Sequence, residues 1–237
     1  MYDRPTWHYQ LAATLTYGDD INVPPQPGPL PAEANLQTQE LHIAQAIALC
    51  RRVMSDSRQP AADRAIAACW LAHLTGDAHQ PCHAGSLYAS VAFPDGDRGG
   101  NEIKLLNGRN LHALWDGLLG PRFDEGDTDR RLTEIITDED LIELGDISFE
   151  EVDPLLWLAE SREVVRMVVY TAEVVAPVRA VSGGKASQLP PIRLSQEYLK
   201  AAGVVATLRA DEAGYRLAAV WRKCLRTADE SPAAEGR

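Results

Sequence analysis

The chain has 237 residues, of which 45% are hydrophobic and 24% charged, proportions typical of soluble globular proteins. It contains no apolar stretch of roughly 18 residues, which excludes a membrane span, and the residues after Met1 form no apolar core of a secretion signal. The net charge of −11 argues against a general nucleic-acid coat, which binds phosphates through clustered Lys and Arg, unless bound metal ions supply positive charge locally.

The predicted elements are almost all helical, and the first helix follows a long loop. Residues 12–34 are predicted to be this loop, because the prolines between Pro24 and Pro31 cannot continue a helix or strand. Apolar residues at helical spacing then predict a helix over 35–54. A second helix is predicted from Pro60 to about Thr75, with Cys69 as a buried thiol.

The middle of the chain is predicted to be mostly irregular. Residues 84–109 form a long loop in this prediction, with one short strand at Glu102–Leu106. Loops of such length inside a compact domain are usually functional. A short helix is expected over Leu111–Leu119, followed by a solvated acidic stretch at 124–129.

The C-terminal half is predicted to add three helices, over 153–170 (extending to about 176), 194–206 and 209–224. Residues 226–237 have little apolar content and are predicted to be a disordered tail. The sequence therefore predicts one mainly α domain over residues 1–225, with long loops and at most a short β-hairpin.

One segment of the second helix has the spacing of a metal site. His73 and Asp77 lie four residues apart, so they project from one helix face, and His83 follows after Pro81. Mixed imidazole and carboxylate ligation suits Zn²⁺, and three protein ligands leave a position open for water. The alternative is a core histidine beside a carboxylate without a special role. However, a carboxylate at a helix C-terminus faces an unfavourable dipole and needs a cation.

His112 and Asp116 repeat this spacing on the later short helix, where the alternative is an ordinary i, i+4 contact. His8 alone is uninformative. His79 is predicted to orient a neighbouring group through a hydrogen bond rather than to bind metal. Cys82, directly before His83, is a further candidate ligand.

The segment Asp97–Asn101 has the sequence Asp-Arg-Gly-Gly-Asn, which allows two interpretations. In the first, Gly99 and Gly100 simply form a tight turn. Alternatively, they let the backbone approach a planar ligand whose edge the Asn101 amide contacts as donor and acceptor together.

Four motifs together resemble a known family: Trp-His-Tyr at 7–9, Trp-Leu-x-His-Leu-x-Gly-Asp-x-His-Gln-Pro-x-His at 70–83, Asp-x-Gly-Gly-Asn at 97–101 and Asn-Leu-His-x-x-Trp-Asp at 110–116. They are similar to the single-strand-specific zinc nucleases, the S1/P1 nuclease family, which shares a superfamily with bacterial zinc phospholipases C. The resemblance is strong from residue 7 to about 120 and weaker in the C-terminal helices. It implies the multi-helix fold of this superfamily with three zinc ions in a cleft.

The resemblance also implies roles for individual residues. It implies six metal ligands: His8, His73, Asp77, His83, His112 and Asp116. Among them, Asp77 is expected to bridge two zinc ions. Asn101, with Gly100 beside it, matches the loop that binds the nucleobase.

The implied reaction is hydrolysis of phosphodiesters in single-stranded DNA and RNA to 5′-phosphate products, with an additional 3′-nucleotidase activity. Single-stranded nucleic acid or a nucleotide is therefore the expected substrate, and no obligate protein partner is predicted. The resemblance further implies a secreted or periplasmic protein, although the chain as given shows no signal peptide.

The sequence departs from the family pattern near its start. Family members begin with a tryptophan and a histidine that bind zinc, and a further aspartate ligand precedes the segment matched by His8; the chain as given has none of these. Leu11 also stands where the family tends to have an aspartate for base contact. We therefore expect one complete zinc site, formed by His83, His112 and Asp116, two incomplete sites, and impaired cleavage by this chain alone.

Two other interpretations remain open. One is a zinc phospholipase C-like phosphoesterase, although that branch typically ends its last motif in His-x₃-Glu rather than with a residue such as Asp116, and lacks the Asp-x-Gly-Gly-Asn loop. The other is a non-catalytic, metal-binding helical protein, which the absent N-terminal ligands favour.

Overall fold

The structure, a computed structural model, describes residues 3–120 and 124–230, and within them the fold is mainly α-helical, as predicted. The α-helices of the described residues are α1 (Ile43–Ser55), α2 (Ala61–His79), α3 (Leu111–Asp116), α4 (Glu125–Thr137), α5 (Glu139–Ser148), α6 (Pro154–Val164), α7 (Ala172–Ser182) and α8 (Gln196–Glu230). None of the described helices is both long and apolar enough to cross a membrane.

Two strands that the sequence analysis missed form a small parallel sheet. β1 (Ala12–Tyr17) pairs with β2 (Gly85–Ala89), from Ala12 opposite Gly85 to Tyr17 opposite Ala89. The prediction of a loop at both places was therefore wrong, and the two strands pair in parallel instead of as the short β-hairpin that the sequence allowed at most. The strands are parallel because α1 and α2 lie between them in the chain, as parallel pairing requires a long crossover. β2 is buried along its whole length, so it lacks the alternation that marks a half-buried strand.

The strand predicted at Glu102–Leu106 does not form. This segment makes only isolated bridges, at Lys104 with Asn110 and at Leu105 with Ile192. Its burial alternates, as expected for a strand, but a strand needs a continuous partner, which sequence periodicity does not specify.

The first two helices differ from the prediction at their ends. α1 begins at Ile43 rather than near 35, because the Asn35 side chain accepts a hydrogen bond from the Gln37 N–H (2.8 Å) and holds a turn there. α2 continues through Gly76 to His79, so Asp77 lies inside the helix.

The α1–α2 pair forms the main core with α8, and a single side of α2 faces it. Ala67, Leu71 and Leu74 are fully buried, whereas Cys69 is exposed. The prediction of a buried Cys69 was wrong because it lies about 200° around the helix from Ala67. Full burial of a leucine side chain contributes about 2 kcal/mol, so these contacts fix the rotation of α2 and with it the direction of its polar face.

The C-terminal helices are divided differently from the prediction. α6 runs directly into a π-helical turn at Val165–Val169, and the helical conformation ends at Tyr170, before α7 begins. α8 is one helix of 35 residues in place of the two predicted at 194–206 and 209–224, because the intervening Thr207–Leu208 contains no helix breaker. Residues 226–230 belong to α8, and the rest of the predicted disordered tail, 231–237, lies outside the described residues.

α3 and the acidic stretch that follows it both differ in detail from the prediction. α3 ends at Asp116, three residues earlier than predicted, because the Gly117 N–H closes the last turn on Leu114. The acidic residues 124–129 form the exposed start of α4, where Asp124 caps the helix by accepting from the Asp127 N–H (3.0 Å). α4 has no buried residue and packs on α5, which in turn packs on α8.

Candidate metal centre

Four elements bring the six predicted ligands together. α2 carries His73 and Asp77 on consecutive turns, and α3 carries His112 and Asp116 in the same way. The other two ligands end 3₁₀ turns, Pro5–His8 and Pro81–His83, each of which begins with proline. Proline favours a first helical position because its φ is already set and its missing N–H has no partner there.

His8, His73 and Asp77 form one group, which we call the Asp77 cluster. The Nδ1 atom of His8 lies 2.9 Å from Oδ2 of Asp77 and 2.9 Å from Nε2 of His73. Nε2 of His73 lies 3.1 Å from the same carboxylate oxygen. Three predicted ligand atoms from two elements thus converge on one point, and the expectation that this site is incomplete stays a prediction.

His83, His112 and Asp116 form the second group, the Asp116 cluster. Nε2 of His83 lies 3.7 Å from one oxygen of Asp116, and Nε2 of His112 lies 3.7 Å from the other. The two rings are 4.9 Å apart between centroids. Oδ1 of Asp77 lies 3.8 Å from Nδ1 of His83, so the Asp77 carboxylate stands between the clusters.

Backbone carbonyl groups orient both imidazoles of the Asp116 cluster. Nδ1–H of His83 donates to the His8 carbonyl (2.5 Å), and Nδ1–H of His112 donates to the Gly99 carbonyl (2.9 Å). These bonds fix the tautomer with Nε2 free, the arrangement that metal-binding histidines usually have. Burial, followed by the neighbouring His83, lowers the pKa of His112. The pKa of His83 is raised, because contacts with the cluster carboxylates outweigh its burial.

Gln80 holds the carboxylate of the second cluster in place. Its side-chain N–H donates to Oδ1 of Asp116 (2.8 Å), while its carbonyl accepts from the Cys82 N–H (2.5 Å). The side chain of Asp116 is otherwise half exposed. Gln80 therefore links the end of α2 to α3.

Both carboxylates are held in the ionised form. Burial raises the pKa of Asp77, but hydrogen bonds with His73 and His8 outweigh it and hold the pKa far below its usual range. Burial likewise raises the pKa of Asp116, yet hydrogen bonding, chiefly with His83, lowers it overall. The centre thus presents ionised carboxylates facing imidazole nitrogens, a donor set that suits a divalent cation.

The spacing of these atoms fits zinc. Ligands about 2.1 Å from a tetrahedral zinc ion lie about 3.4 Å from one another. The edges of the Asp77 cluster are 2.9–3.1 Å, and those measured in the Asp116 cluster are 3.7 Å. Within each cluster all the ligand atoms lie within 4.8 Å of one another. The measured edges of both clusters therefore lie within about half an ångström of the spacing that one tetrahedral zinc ion requires.

A cavity of about 280 Å³ opens beside both clusters. It is lined by His8, Tyr9, Leu11, Cys82, His83, Arg98, Asn101 and His112. A larger cavity of about 500 Å³ lies between the end of α3 and the α4–α5 pair and contains none of the predicted ligands. A further cavity of about 330 Å³ is lined by Asp77, Gln80 and Asp116, so both it and the 280 Å³ cavity border the candidate centre.

The glycines of the Asp97–Asn101 loop are explained by close packing of the protein itself. Gly99 and Gly100 have φ values of +64° and +83°, and a Cβ at Gly99 would lie 2.0 Å from the Cys82 carbonyl. These contacts favour the tight-turn interpretation for the glycines. Asn101 faces the cavity, with its amide oriented by bonds to the Arg98 carbonyl and from the Asn110 side chain.

Cys82 is poorly suited to bind metal. Its thiol is buried, and burial together with the charges of Asp97 and Asp116 raises its pKa well above the usual value. Because only the thiolate is a metal ligand, the six histidine and aspartate side chains are the better donor set.

His79 lies on the other side of α2 and orients none of the predicted ligands, contrary to the prediction. Its Nδ1–H donates to the Thr75 carbonyl (2.7 Å), and its Nε2 accepts from Arg216 (2.9 Å). Arg216 and Arg209 both bind Glu160. His79, Glu160 and Glu212 also lie close enough together to suggest a metal site, but the two guanidinium groups already supply the positive charge.

Sequence reasoning missed this group, which we call the His79 network, and it also missed the positioning role of Gln80. The members of the His79 network lie on α2, α6 and α8, and members on different helices are 49 or more residues apart, so no local spacing links one helix to another. Gln80 belongs to the Gly-Asp-x-His-Gln-Pro-x-His motif, so its place in that motif was the available signal.

Comparison with known proteins gives one family. The model of the family described as S1/P1 Nuclease matches residues 4–226, a range that includes both clusters and the Asp97–Asn101 loop. No curated protein matches the chain.

Proposed function

This chain belongs to the S1/P1 nuclease family, hydrolases that act on the phosphodiester bonds of nucleic acids, and we propose that it cleaves single-stranded DNA and RNA with zinc bound at the two clusters. The proposed products carry 5′-phosphates, and a 3′-nucleotidase activity is part of the proposal. The observation that carries it is the convergence of the six predicted ligands into two neighbouring clusters, three members of which (His8, His83 and His112) line a cavity together with Asn101.

The residues of the two clusters define the proposed metal sites. The Asp77 cluster would hold one zinc ion through two imidazoles and a carboxylate, and the Asp116 cluster would hold another through the same set. Bound zinc supplies a Lewis acid that stabilises negative charge on phosphate oxygens and lowers the pKa of water. The chain contributes the orientation of these ligands, through the carbonyls of His8 and Gly99 and the side chain of Gln80.

The shape of the cavity supports a single-stranded substrate. A volume of about 280 Å³ suits one nucleobase, and the Asn101 amide offers one donor and one acceptor to a base edge. In a duplex the Watson–Crick edges are paired and the bases stacked, so a base must leave the helix to enter. Tyr9 lines the cavity and is 37% exposed, which makes its ring available for stacking.

Charge also supports metal-assisted binding. The chain has a net charge of −11 and would repel a polyanion over most of its surface. Two Zn²⁺ ions would reverse the charge locally, since metal ions are often the largest charges in a site. Arg98 adds a fixed positive charge at the edge of the same cavity.

The proposal is tested with the purified chain loaded with zinc, using single-stranded DNA, single-stranded RNA and a DNA duplex of equal length. We expect weak, zinc-dependent cleavage of both single strands, in keeping with the impaired activity that the sequence predicts, abolished by a chelator and by His112→Ala, with 5′-phosphate ends on the products. Equal cleavage of the duplex would overturn the single-strand proposal. Zinc-dependent release of a phosphorylated headgroup from phosphatidylcholine, without cleavage of nucleic acid, would favour the phospholipase alternative.

A further inference from the structure

The Asp97 carboxylate is a buried acidic group at the start of the Asp97–Asn101 loop. Neither the ligand set nor the proposed reaction uses it. Its residue has 0% of its surface exposed. Oδ1 accepts from the Ser86 hydroxyl (2.8 Å) and the Leu87 N–H (3.0 Å), and Oδ2 accepts from the Tyr170 hydroxyl (2.6 Å). A buried carboxylate is tolerated only when it is so completely hydrogen-bonded. These bonds anchor the start of the Asp97–Asn101 loop to β2 and Tyr170.

The loop that Asp97 anchors touches the site at two points. The carbonyl of Gly99 accepts from Nδ1–H of His112 and so sets the orientation of that imidazole. The carbonyl of Gly100 accepts from the His112 backbone N–H (3.3 Å), and the next residue is Asn101. One short segment therefore positions a predicted zinc ligand and the proposed base contact together.

The loop needs an anchor because its backbone is strained. Arg98 has φ +57°, in the left-handed region that residues other than glycine rarely adopt, and Gly99 and Gly100 follow with positive φ. Such conformations cost of order 1–3 kcal/mol for a non-glycine residue and persist only when surrounding contacts impose them. The hydrogen bonds at the Asp97 side chain are such contacts.

The anchor point on the other side is the π-helical turn at Val165–Val169. Tyr170 follows it directly, and its N–H donates to the Val165 carbonyl (2.9 Å). Burial, followed by the charge of Asp97, raises the pKa of Tyr170 well above the usual value, so its hydroxyl stays a donor. π-Helical turns are rare in proteins, and those that occur are often found at functional sites.

The same turn also holds α3. The Trp115 indole N–H donates to the Tyr198 hydroxyl (3.0 Å), which donates to the Val169 carbonyl (3.0 Å). Trp115 lies directly before the ligand Asp116. The π-helical turn thus reaches the Asp116 cluster by two hydrogen-bonded routes, one through Asp97 and one through Tyr198.

We propose that Asp97, held by Tyr170, is a positioning residue that couples nucleobase binding at Asn101 to zinc binding at His112. A base bound at Asn101 and a zinc ion bound at His112 each favour the same loop conformation, so each raises the affinity of the other, as linkage requires. The nucleobase half of this inference rests on the proposed function, whereas the zinc half depends only on the Asp116 cluster.

The test uses Tyr170→Phe, which removes one hydroxyl from Oδ2 of Asp97 and keeps the ring, together with Asp97→Asn. Zinc affinity is measured by competition with a chelator, and binding of a phosphorothioate single-stranded oligonucleotide is measured at saturating zinc. We expect both variants to weaken one of the two zinc equivalents by about 10-fold or more, the size of outer-shell effects, and to weaken oligonucleotide binding as well.

Val220→Ala is the matched control, because it creates a cavity in the core between α1, α2 and α8 and lowers stability without touching the loop. If Asp97 has a positioning role, Val220→Ala should keep its affinities for zinc and for the oligonucleotide even when it loses as much stability as Tyr170→Phe and Asp97→Asn. Unchanged zinc affinity in Tyr170→Phe and Asp97→Asn would overturn the inference and leave the proposed function standing. If neither the unaltered chain nor any variant binds the oligonucleotide, the proposed function and the nucleobase half of the inference are both overturned.

Discussion

The C-terminal end of α2 has two polar sides built from nearly the same residue types. On one side His73 and Asp77 face other imidazoles and carboxylates, with 2.9 Å between the nitrogens of His8 and His73. On the other side His79 accepts from Arg216, and Arg216 binds Glu160. In the first region the ligand atoms meet without a permanent cation, and in the second two arginines supply it.

The difference shows what separates a metal site from an ion-pair network. Proximity of histidine and acidic side chains occurs in both regions. In the Asp116 cluster, backbone carbonyls accept the Nδ1–H protons of His83 and His112, and the free Nε2 atoms face the Asp116 carboxylate. At His79 the free Nε2 points at a guanidinium donor instead. What distinguishes the two regions is the group that faces the free nitrogen, a carboxylate in one and a guanidinium in the other, rather than the types of residue present.

The largest effect is expected from removing a ligand. His112→Ala leaves the Asp116 cluster with two donors and should weaken one zinc equivalent by at least about 1,000-fold, since outer-shell partners alone contribute about 10–100-fold. Competition with a chelator measures this. His79→Ala is the control in the second region and should leave both zinc affinities unchanged. Equal losses in the two variants would erase the distinction between the regions.

Breaking the His79 network should lower stability instead of metal binding. Arg216→Met leaves Glu160 and His79 with a buried partner missing, which costs about 3 kcal/mol in the free energy of unfolding, measured by urea denaturation. The exposed ion pair of Arg166 with Glu163 gives the control, because Arg166→Met should cost less than about 1 kcal/mol. Loss of zinc from Arg216→Met under conditions in which the variant remains folded would show that the His79 network supports the metal centre.

Gln80 tests the support of the Asp116 cluster. Gln80→Met keeps the side-chain length but removes the donor to Asp116 Oδ1, so the affinity of one zinc equivalent should fall by about 10-fold. Gln59→Met changes an exposed glutamine far from the centre and should have no effect. Identical affinities for both variants would mean that the Gln80 contact does not orient the carboxylate.

The smallest effect concerns Asp211, a carboxyl on α8 whose Oδ2 is buried without a hydrogen bond. Burial, followed by the charges of Glu212 and Asp138, raises its pKa to about 6. A raised pKa means that the group favours the folded state at low pH and that this contribution is lost as the pH rises from about 4 to about 6.

Asp211→Asn should therefore raise the free energy of unfolding by about 1 kcal/mol at pH 8 and change it little at pH 4. Urea denaturation at the two pH values measures the difference, and the exposed Asp129→Asn is the control. An equal effect of Asp211→Asn at both pH values would argue against a perturbed carboxyl.

The grouping of side chains at the candidate metal centre was the most predictable part of the molecule. His73 with Asp77 and His112 with Asp116 share helix faces by spacing alone, and both helices formed where those pairs required them. The mainly α fold followed from helical periodicity for the same reason. Both predictions rest on local geometry, which the sequence contains directly.

What the sequence did not reveal depends on contacts between distant segments. β1 and β2 pair across about 70 residues, and the buried β2 has no alternating pattern. The anchor of Asp97 on Tyr170 joins a loop to a π-helical turn 73 residues away. The length of α8 was missed for another reason, since two short helices and one long helix share the same periodicity.

The most direct test of the account is X-ray diffraction from zinc-loaded crystals, recorded on both sides of the zinc absorption edge. Anomalous scattering locates zinc without any assumption about its ligands. The account predicts one peak among His8, His73 and Asp77 and a second among His83, His112 and Asp116. A peak at His79 and Glu160 with none at either cluster would contradict it.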